Sequence, residues 1–268
     1  MSTALASTPS VLAERLEAVL VITLARAPVN AIDDTLLAAL EAALDQVEAD
    51  ERLTVLHLRS ARKVFCAGAD LALMRACFAT ADGPAEMVAL VQRMQDVFAR
   101  LERAPCVTLA EIGGAALGGG FELALACDLR IAAAEARVGL PEASLGLLPA
   151  AGGTQRLTRL VGSGVARRLI LGAEIVDGRE AERLGLVQWA VPRAELAAHA
   201  RAIAQRYAAQ PRVALAANKH CIALAAESGD AGFAAEIAAT RRLYEHAETR
   251  RRVAAFLDKR AGTSKEAT

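Results

Sequence analysis

The sequence predicts an α/β layer over residues 1–195 followed by a helical region over residues 196–268. Short β-branched runs alternate with segments of helical spacing as far as Val191, and only helical patterns remain beyond Arg193. Hydrophobic residues make up 54% of the 268 residues and charged residues 23%, enough for a sizeable core and too apolar for a disordered chain. No low-complexity linker separates the two parts, so they are expected to pack together.

Residues 18–25 (AVLVITLA) read as a strand that leaves into the loop Ala27-Pro28-Val29-Asn30. A helix follows, with Asp33 and Asp34 as cap and first-turn charge and Leu36, Leu40, Leu44 and Val47 on one face. Residues 54–58 (TVLHL) form the second strand, ending in a loop over 60–70. One long helix is then expected, with Met87, Val91, Met94, Val97, Phe98 and Leu101 at periodic positions, stopping before Pro105. Residues 106–112 make a third strand that runs through Gly113-Gly114 into Gly118-Gly119-Gly120, after which 121–127 is helical. Residues 129–134 return as a strand, and 138–149 is loop-rich around Pro141-Glu142.

Composition removes several function classes. Lys+Arg 31 balance Asp+Glu 31, which argues against a general nucleic-acid binder, and a 3% aromatic share argues against a base-stacking surface. Cys66, Cys77, Cys106, Cys127 and Cys221 contain no C-x-x-C pair, and His57, His199, His220 and His246 are scattered, so no metal is expected. The small, polar first ten residues lack a signal-peptide pattern, and no apolar run reaches about 18 residues. A soluble cytoplasmic protein with no membrane partner is the expectation.

Gly118-Gly119-Gly120, between a strand and a helix, suits a phosphate only superficially. A dinucleotide fingerprint needs Gly or Ala at position 123, where Leu123 stands, and no P-loop Lys-Ser/Thr pair or G-x-S-x-G elbow occurs. Two readings fit the stretch: a tight turn for close packing, or a turn whose bare N–H groups meet a substrate oxygen. Glu122, in the first helical turn, is either a dipole partner or a carboxylate facing the same cavity. Glu142 lies in a loop that the intervening return strand can bring beside the glycine turn, and two carboxylates on one cavity form an acid/base pair. Residues 66–70 (CAGAD) make another small-residue turn, serving as a strand-to-helix loop capped by Asp70 or as a second source of backbone N–H groups.

Together, residues 65–71 (FCAGADL), 116–124 (ALGGGFELA), Pro141-Glu142 and 149–157 (PAAGGTQRL) resemble the crotonase family, the enoyl-CoA hydratases and isomerases, over nearly the whole chain. The resemblance implies a ClpP-like spiral of repeated ββα units with a C-terminal helical trimerisation region, assembled as a homotrimer or homohexamer. It implies an acyl-CoA thioester as substrate, with coenzyme A part of that substrate and no separate cofactor. Carried over position by position, Ala69 and Gly119 match the oxyanion-hole amides, and Glu122 and Glu142 match both hydratase glutamates. Ala67 matches an adenine contact; Arg26, Gly68, Asp70 and Leu71 match the coenzyme A path, as do Gly118, Pro141 and the C-terminal Lys259. The pair of glutamates favours addition of water to a 2-enoyl-CoA over isomerisation.

The chain departs from the family pattern at Ala150, in place of Gly near the water site, and at Leu140, in place of a polar Gln. Ala72 replaces a frequent Lys, and Arg251-Arg252 replaces Glu-Gly. The alternatives are an isomerase or other crotonase activity that works through Glu142, and a non-catalytic, RNA-binding member. Arg241-Arg242 and 250–252 (RRR) are the features behind the latter; with interspersed acids they read as a solvated helix face or subunit contact.

Overall fold

The computed structural model describes residues 10–77 and 79–225, together with 237, 238, 240, 242, 243, 246–249 and 251–253. The chain divides into two compact units, one ending at Ala208 and the other beginning at Ala209.

In the first unit, β1 (Val11–Leu16) pairs antiparallel with β2 (Val19–Leu24), and from there the chain repeats one pattern. After β2 comes an isolated bridge at Ile32, then α1 (Asp34–Ala49). After β3 (Val55–Ser60) come bridges at Cys66 and Ala69, then α2 (Leu71–Cys77) and α3 (Gly83–Arg103). After β4 (Val107–Ile112) come β5 (Ala116–Leu117) and α4 (Gly119–Leu125). After β6 (Leu129–Ala133) come β7 (Arg137–Gly139), a 3-10 turn over Pro141–Leu145, and α5 (Gly153–Leu171). The unit closes with β8 (Ile175–Asp177), α6 (Gly178–Arg183), β9 (Trp189–Val191) and α7 (Arg193–Ala208).

Each turn therefore adds one long strand to a sheet ordered β1-β2-β3-β4-β6-β9, parallel from β2 onward. It also adds a short strand or bridge to a second layer: Ile32 pairs with Ala69, Cys66 with Ala116, and Leu117 with Gly139, all parallel. That second layer carries the short turns, so residues far apart in sequence arrive on one line. Parallel strands covered on both faces need continuous apolar runs, and β2 is buried at every position.

Asp33 caps α1, its carboxylate accepting the Leu36 N–H at 2.9 Å. Two elements differ from the sequence reading. β1 precedes the expected first strand; it is an exposed edge and so lacks an apolar alternation that would mark it. The single long helix expected after residue 70 is two, because Gly83 and Pro84 restart the chain at the head of α3. The sequence changes character near residue 195, whereas the compact unit continues to Ala208 because α7 lies against β2, β3, β4 and β6. In the second unit α8 (Arg212–Leu224) has no buried residue.

The exit of α4 is fastened by Asp128 and Arg130. Asp128 Oδ2 accepts from the Thr108 amide and hydroxyl at 2.8 and 2.9 Å. The buried Arg130 guanidinium donates to the carbonyls of Cys127 (2.6 Å), Ala124 (3.2 Å) and Leu186 (2.8 Å). A cation there adds a charged donor to carbonyls at and beside a helix end. Arg130→Met takes that donor from all three and is expected to cost about 2–4 kcal/mol in urea unfolding; an unchanged midpoint would contradict the clamp.

Candidate active site

The turn at residues 66–69 and the glycine turn at 118–120 meet backbone to backbone. Gly68 has φ +96°, and a Cβ there would stand 2.9 Å from the Leu117 carbonyl oxygen and 3.2 Å from the Gly119 nitrogen. A Cβ at Gly120 would stand 2.1 Å from the Cys66 carbonyl oxygen. No side chain fits either position without moving backbone, so these glycines are what lets the two turns touch.

That contact sets two amides next to each other. The parallel bridge at Ala69 uses its neighbours: Ile32 N–H donates to Gly68 O (2.8 Å) and Asp70 N–H donates to Ile32 O (3.3 Å). Among the described residues neither the Ala69 nor the Gly119 N–H has an acceptor. At Gly119 the side chains of Met94 and Ile32 fill the adjoining space, 2.8 and 3.3 Å from where a Cβ would be. Two unsatisfied donors beside an apolar wall suit an oxygen that gains negative charge.

Glu122 sits one helical turn after Gly118 and is 3% exposed. Its Oε1 accepts the Gly153 N–H at 2.7 Å, and the Ala151 amide acts on the same carboxyl, favouring its ionised form. Glu142 reaches the site from the 3-10 turn; its Oε1 lies 2.8 Å from where a Cβ at Gly118 would be, and Gly118 has φ +53°. Among the described residues the buried Glu142 Oε2 has no hydrogen-bond partner.

Burial raises the Glu122 carboxyl to about 7, with the Glu142 charge adding to the rise and the Gly153 and Ala151 amides and the Arg156 charge opposing it. Burial also raises Glu142, opposed by its own amide. The result is a pair of carboxyl groups that burial biases toward the protonated form, suited to exchanging protons. Cys66 does not join this chemistry: burial pushes its thiol up to about 12, and its Sγ–H donates to the Asn30 carbonyl at 3.0 Å.

The other residues singled out in the sequence fall into separate places. Ala67 is exposed beside the Gly68 turn, and its N–H donates to Val29 O. Asp70 caps α2, accepting from the amides of Ala72 (2.9 Å) and Leu73 (3.2 Å), and pairs with Arg26 at 3.0 Å; those amides and that guanidinium hold its carboxyl below the usual range. Arg26 also contacts Asp33 (2.9 Å) and the Ala31 carbonyl (3.1 Å), so it ties two successive turns of the chain together. Leu71 begins α2 and Pro141 begins the 3-10 turn. Leu140 is fully buried, which explains an apolar residue there. Lys259, Arg241 and Arg250 lie outside the described residues. Arg251 and Arg252 both bind Glu248.

Sequence reasoning did not find the donors to Glu122. Gly153 and Ala151 lie about thirty residues from it, and only their glycine-rich setting hinted at a close approach. A Cβ at Gly153 would stand 2.8 Å from Glu122 Oε1, so that glycine brings its amide within reach. Among the described residues no group of three or more His, Cys, Asp or Glu side chains is placed to hold a metal ion, and no helix is long and apolar enough to cross a membrane.

Residues 14–266 match the model of the family described as enoyl-CoA hydratase/isomerase. The chain is 41% identical over 191 residues to a probable enoyl-CoA hydratase of Bacillus subtilis, covering 71% of this chain and 72% of that protein. It is 41% identical over 159 residues to the mitochondrial methylglutaconyl-CoA hydratase of Mus musculus, 59% of this chain and 49% of the relative, so the match spans about half that protein. Among solved structures, Pseudomonas aeruginosa DspI superposes with a TM-score of 0.88 at 36% identity, over 97% of this chain and 98% of the other.

Proposed function

The chain belongs to the enoyl-CoA hydratase/isomerase family, the crotonase fold with it, and on that premise we propose that it adds water across the 2,3 double bond of a 2-enoyl-CoA to give a 3-hydroxyacyl-CoA. The observation that carries this reading is the pair Glu122 and Glu142, both raised by burial, beside two amides that have no acceptor among the described residues.

In the proposed reaction the Ala69 and Gly119 N–H groups receive the thioester carbonyl oxygen. Ionised Glu122 takes a proton from water as its oxygen bonds to the β-carbon, and the alkene electron pair moves toward the carbonyl as an enolate. Glu142, protonated, delivers its proton to the α-carbon and the enolate collapses to the thioester. The proton gained by Glu122 balances the one lost by Glu142, and solvent exchange restores both. Each amide stabilises the enolate oxygen by about 2.7–4 kcal/mol. A carboxyl of about 7 suits the base, since about half of it is ionised at neutral pH while it remains basic enough to accept a proton.

Coenzyme A is carried in with the substrate in this reading. Exposed Ala67 offers the adenine a surface free of side-chain bulk, and the family resemblance assigns Arg26, Gly68, Asp70, Leu71, Gly118, Pro141 and Lys259 to coenzyme A binding. A homotrimer or homohexamer agrees with α8, whose Ile222 is 73% exposed, and with Leu145 and Leu148 exposed beside Glu142. The cysteines, four of them buried thiols, agree with a reducing cytoplasm.

Purified protein is expected to convert crotonyl-CoA to 3-hydroxybutyryl-CoA, followed by loss of the enoyl thioester absorbance. If it shifts a 3-enoyl double bond and forms no hydroxy product, the hydratase reading is wrong and the isomerase alternative stands.

A further inference from the structure

The loop that grips Glu122 is itself gripped through its carbonyls. While the Gly153 amide donates to Glu122 and the Ala151 amide acts on the same carboxyl, Gln95 Nε2 donates to Ala150 O at 2.6 Å and Arg156 Nη1 donates to Ala151 O at 3.0 Å. Gln95 and Glu102 are seven residues apart and share one face of α3. Arg156 Nε and Nη2 reach Glu102 Oε2 at 3.0 and 2.9 Å. Its guanidinium, only 10% exposed as a side chain, fills the space beside Gly152: a Cβ there would stand 2.2 Å from Arg156 Nη1. Gly152 has φ +106°, so the glycine both makes the turn and admits the guanidinium.

We propose that Arg156, braced by Glu102, is a positioning residue that fixes the Ala151 peptide against Glu122. The proposal rests on the hydratase reading for its catalytic meaning and on the geometry above for the brace itself. Two features make arginine suited to the place. Its planar fork holds Glu102 and the Ala151 carbonyl at once, which an ammonium on a flexible stem does not. Its charge also favours the ionised form of Glu122. The charged groups acting on Glu122 are then Glu142 from the 3-10 turn and Arg156 from α5, with Glu102 of α3 facing Arg156. Removing the cation takes a favourable partner from ionised Glu122, so the carboxyl titrates at higher pH.

The brace is tested by titrating Glu122 in the full chain by carboxyl ¹³C NMR, its resonance identified by its loss in Glu122→Gln. Arg156→Gln is expected to raise the midpoint by about 0.5–1 pH unit, and Arg156→Lys, which keeps the charge, to leave it within about 0.3. An unmoved midpoint in folded Arg156→Gln overturns the proposal, whatever the protein catalyses. In crotonyl-CoA hydration, Arg156→Gln and Arg156→Lys are each expected to lower kcat about tenfold with KM within about twofold, as misplacement of a reacting group does. The surface variant Glu102→Gln should lower kcat about threefold, and adding it to Arg156→Lys should cost nothing more. It also serves if Arg156→Gln does not fold. Wild-type kcat in Arg156→Lys and Glu102→Gln, in an enzyme that hydrates, overturns the positioning role; a wild type that does not hydrate refutes the hydratase reading and leaves the titration to decide the brace.

Discussion

Glu122→Gln is expected to lower kcat for enoyl-CoA hydration by about 10²–10⁴-fold while making the protein more resistant to heat at pH 8. The loss follows from removing the base that takes the proton from water, whose usual contribution spans that range. Glutamine keeps the shape and still accepts the Gly153 N–H, so the loss is chemical rather than a collapse of the site. The gain in stability follows from the raised carboxyl. Unfolded, Glu122 titrates near the ordinary 4.5; folded, near about 7. Between those values the folded state binds the extra proton, so stability falls as pH rises through this window and the penalty is complete above it. For a group this buried the penalty is of order 3 kcal/mol at pH 8. Melting temperatures of wild type and Glu122→Gln should therefore diverge from pH 5 to pH 8, the variant being higher at pH 8. Equal melting at both pH values would mean that burial does not disfavour the carboxylate. Glu142→Gln should lose kcat to a similar degree, because it removes the proton bound for the α-carbon; wild-type turnover in either variant disproves its role.

Gly68→Ala is expected to lower kcat by about 10²–10³-fold, the usual cost of removing one oxyanion donor, with a smaller change in KM. The added Cβ meets the Leu117 oxygen at 2.9 Å and the Gly119 nitrogen at 3.2 Å, and the backbone at φ +96° resists any L side chain. Something must shift, and what lies in the way is the backbone that aligns the Ala69 and Gly119 amides. Strain of this kind costs about 1–3 kcal/mol, so the variant should fold and melt several degrees lower. A folded Gly68→Ala with undiminished kcat would show that the two turns need not touch for the reaction.

Much of this arrangement was legible in the residues because its causes are local. The runs read at 18–25, 54–58 and 106–112 are rich in β-branched and apolar residues, as buried parallel strands must be, and Asp33 announces α1 by a cap whose partner is three residues away. Gly68, Gly118, Gly119, Gly120, Glu122 and Glu142 were all picked out, since a turn that tolerates only glycine and a carboxylate in an otherwise apolar stretch are visible without the fold. β1 was not, because an exposed edge strand needs no buried face, and neither was the break between α2 and α3.

The partnerships of those residues are a different matter. Cys66 O against Gly120, Gly153 N–H on Glu122, and Arg156 on Glu102 each join residues about thirty to more than fifty positions apart. No local pattern encodes them, since they arise only when successive turns of the chain stack their second-layer bridges in line. The sequence by itself determined which segments form the long buried strands, which turns must be glycine and which carboxyl groups are available. Only the tertiary structure decided which amides stay without acceptors and how high burial raises Glu122, because accessibility and electrostatic environment belong to the packed whole.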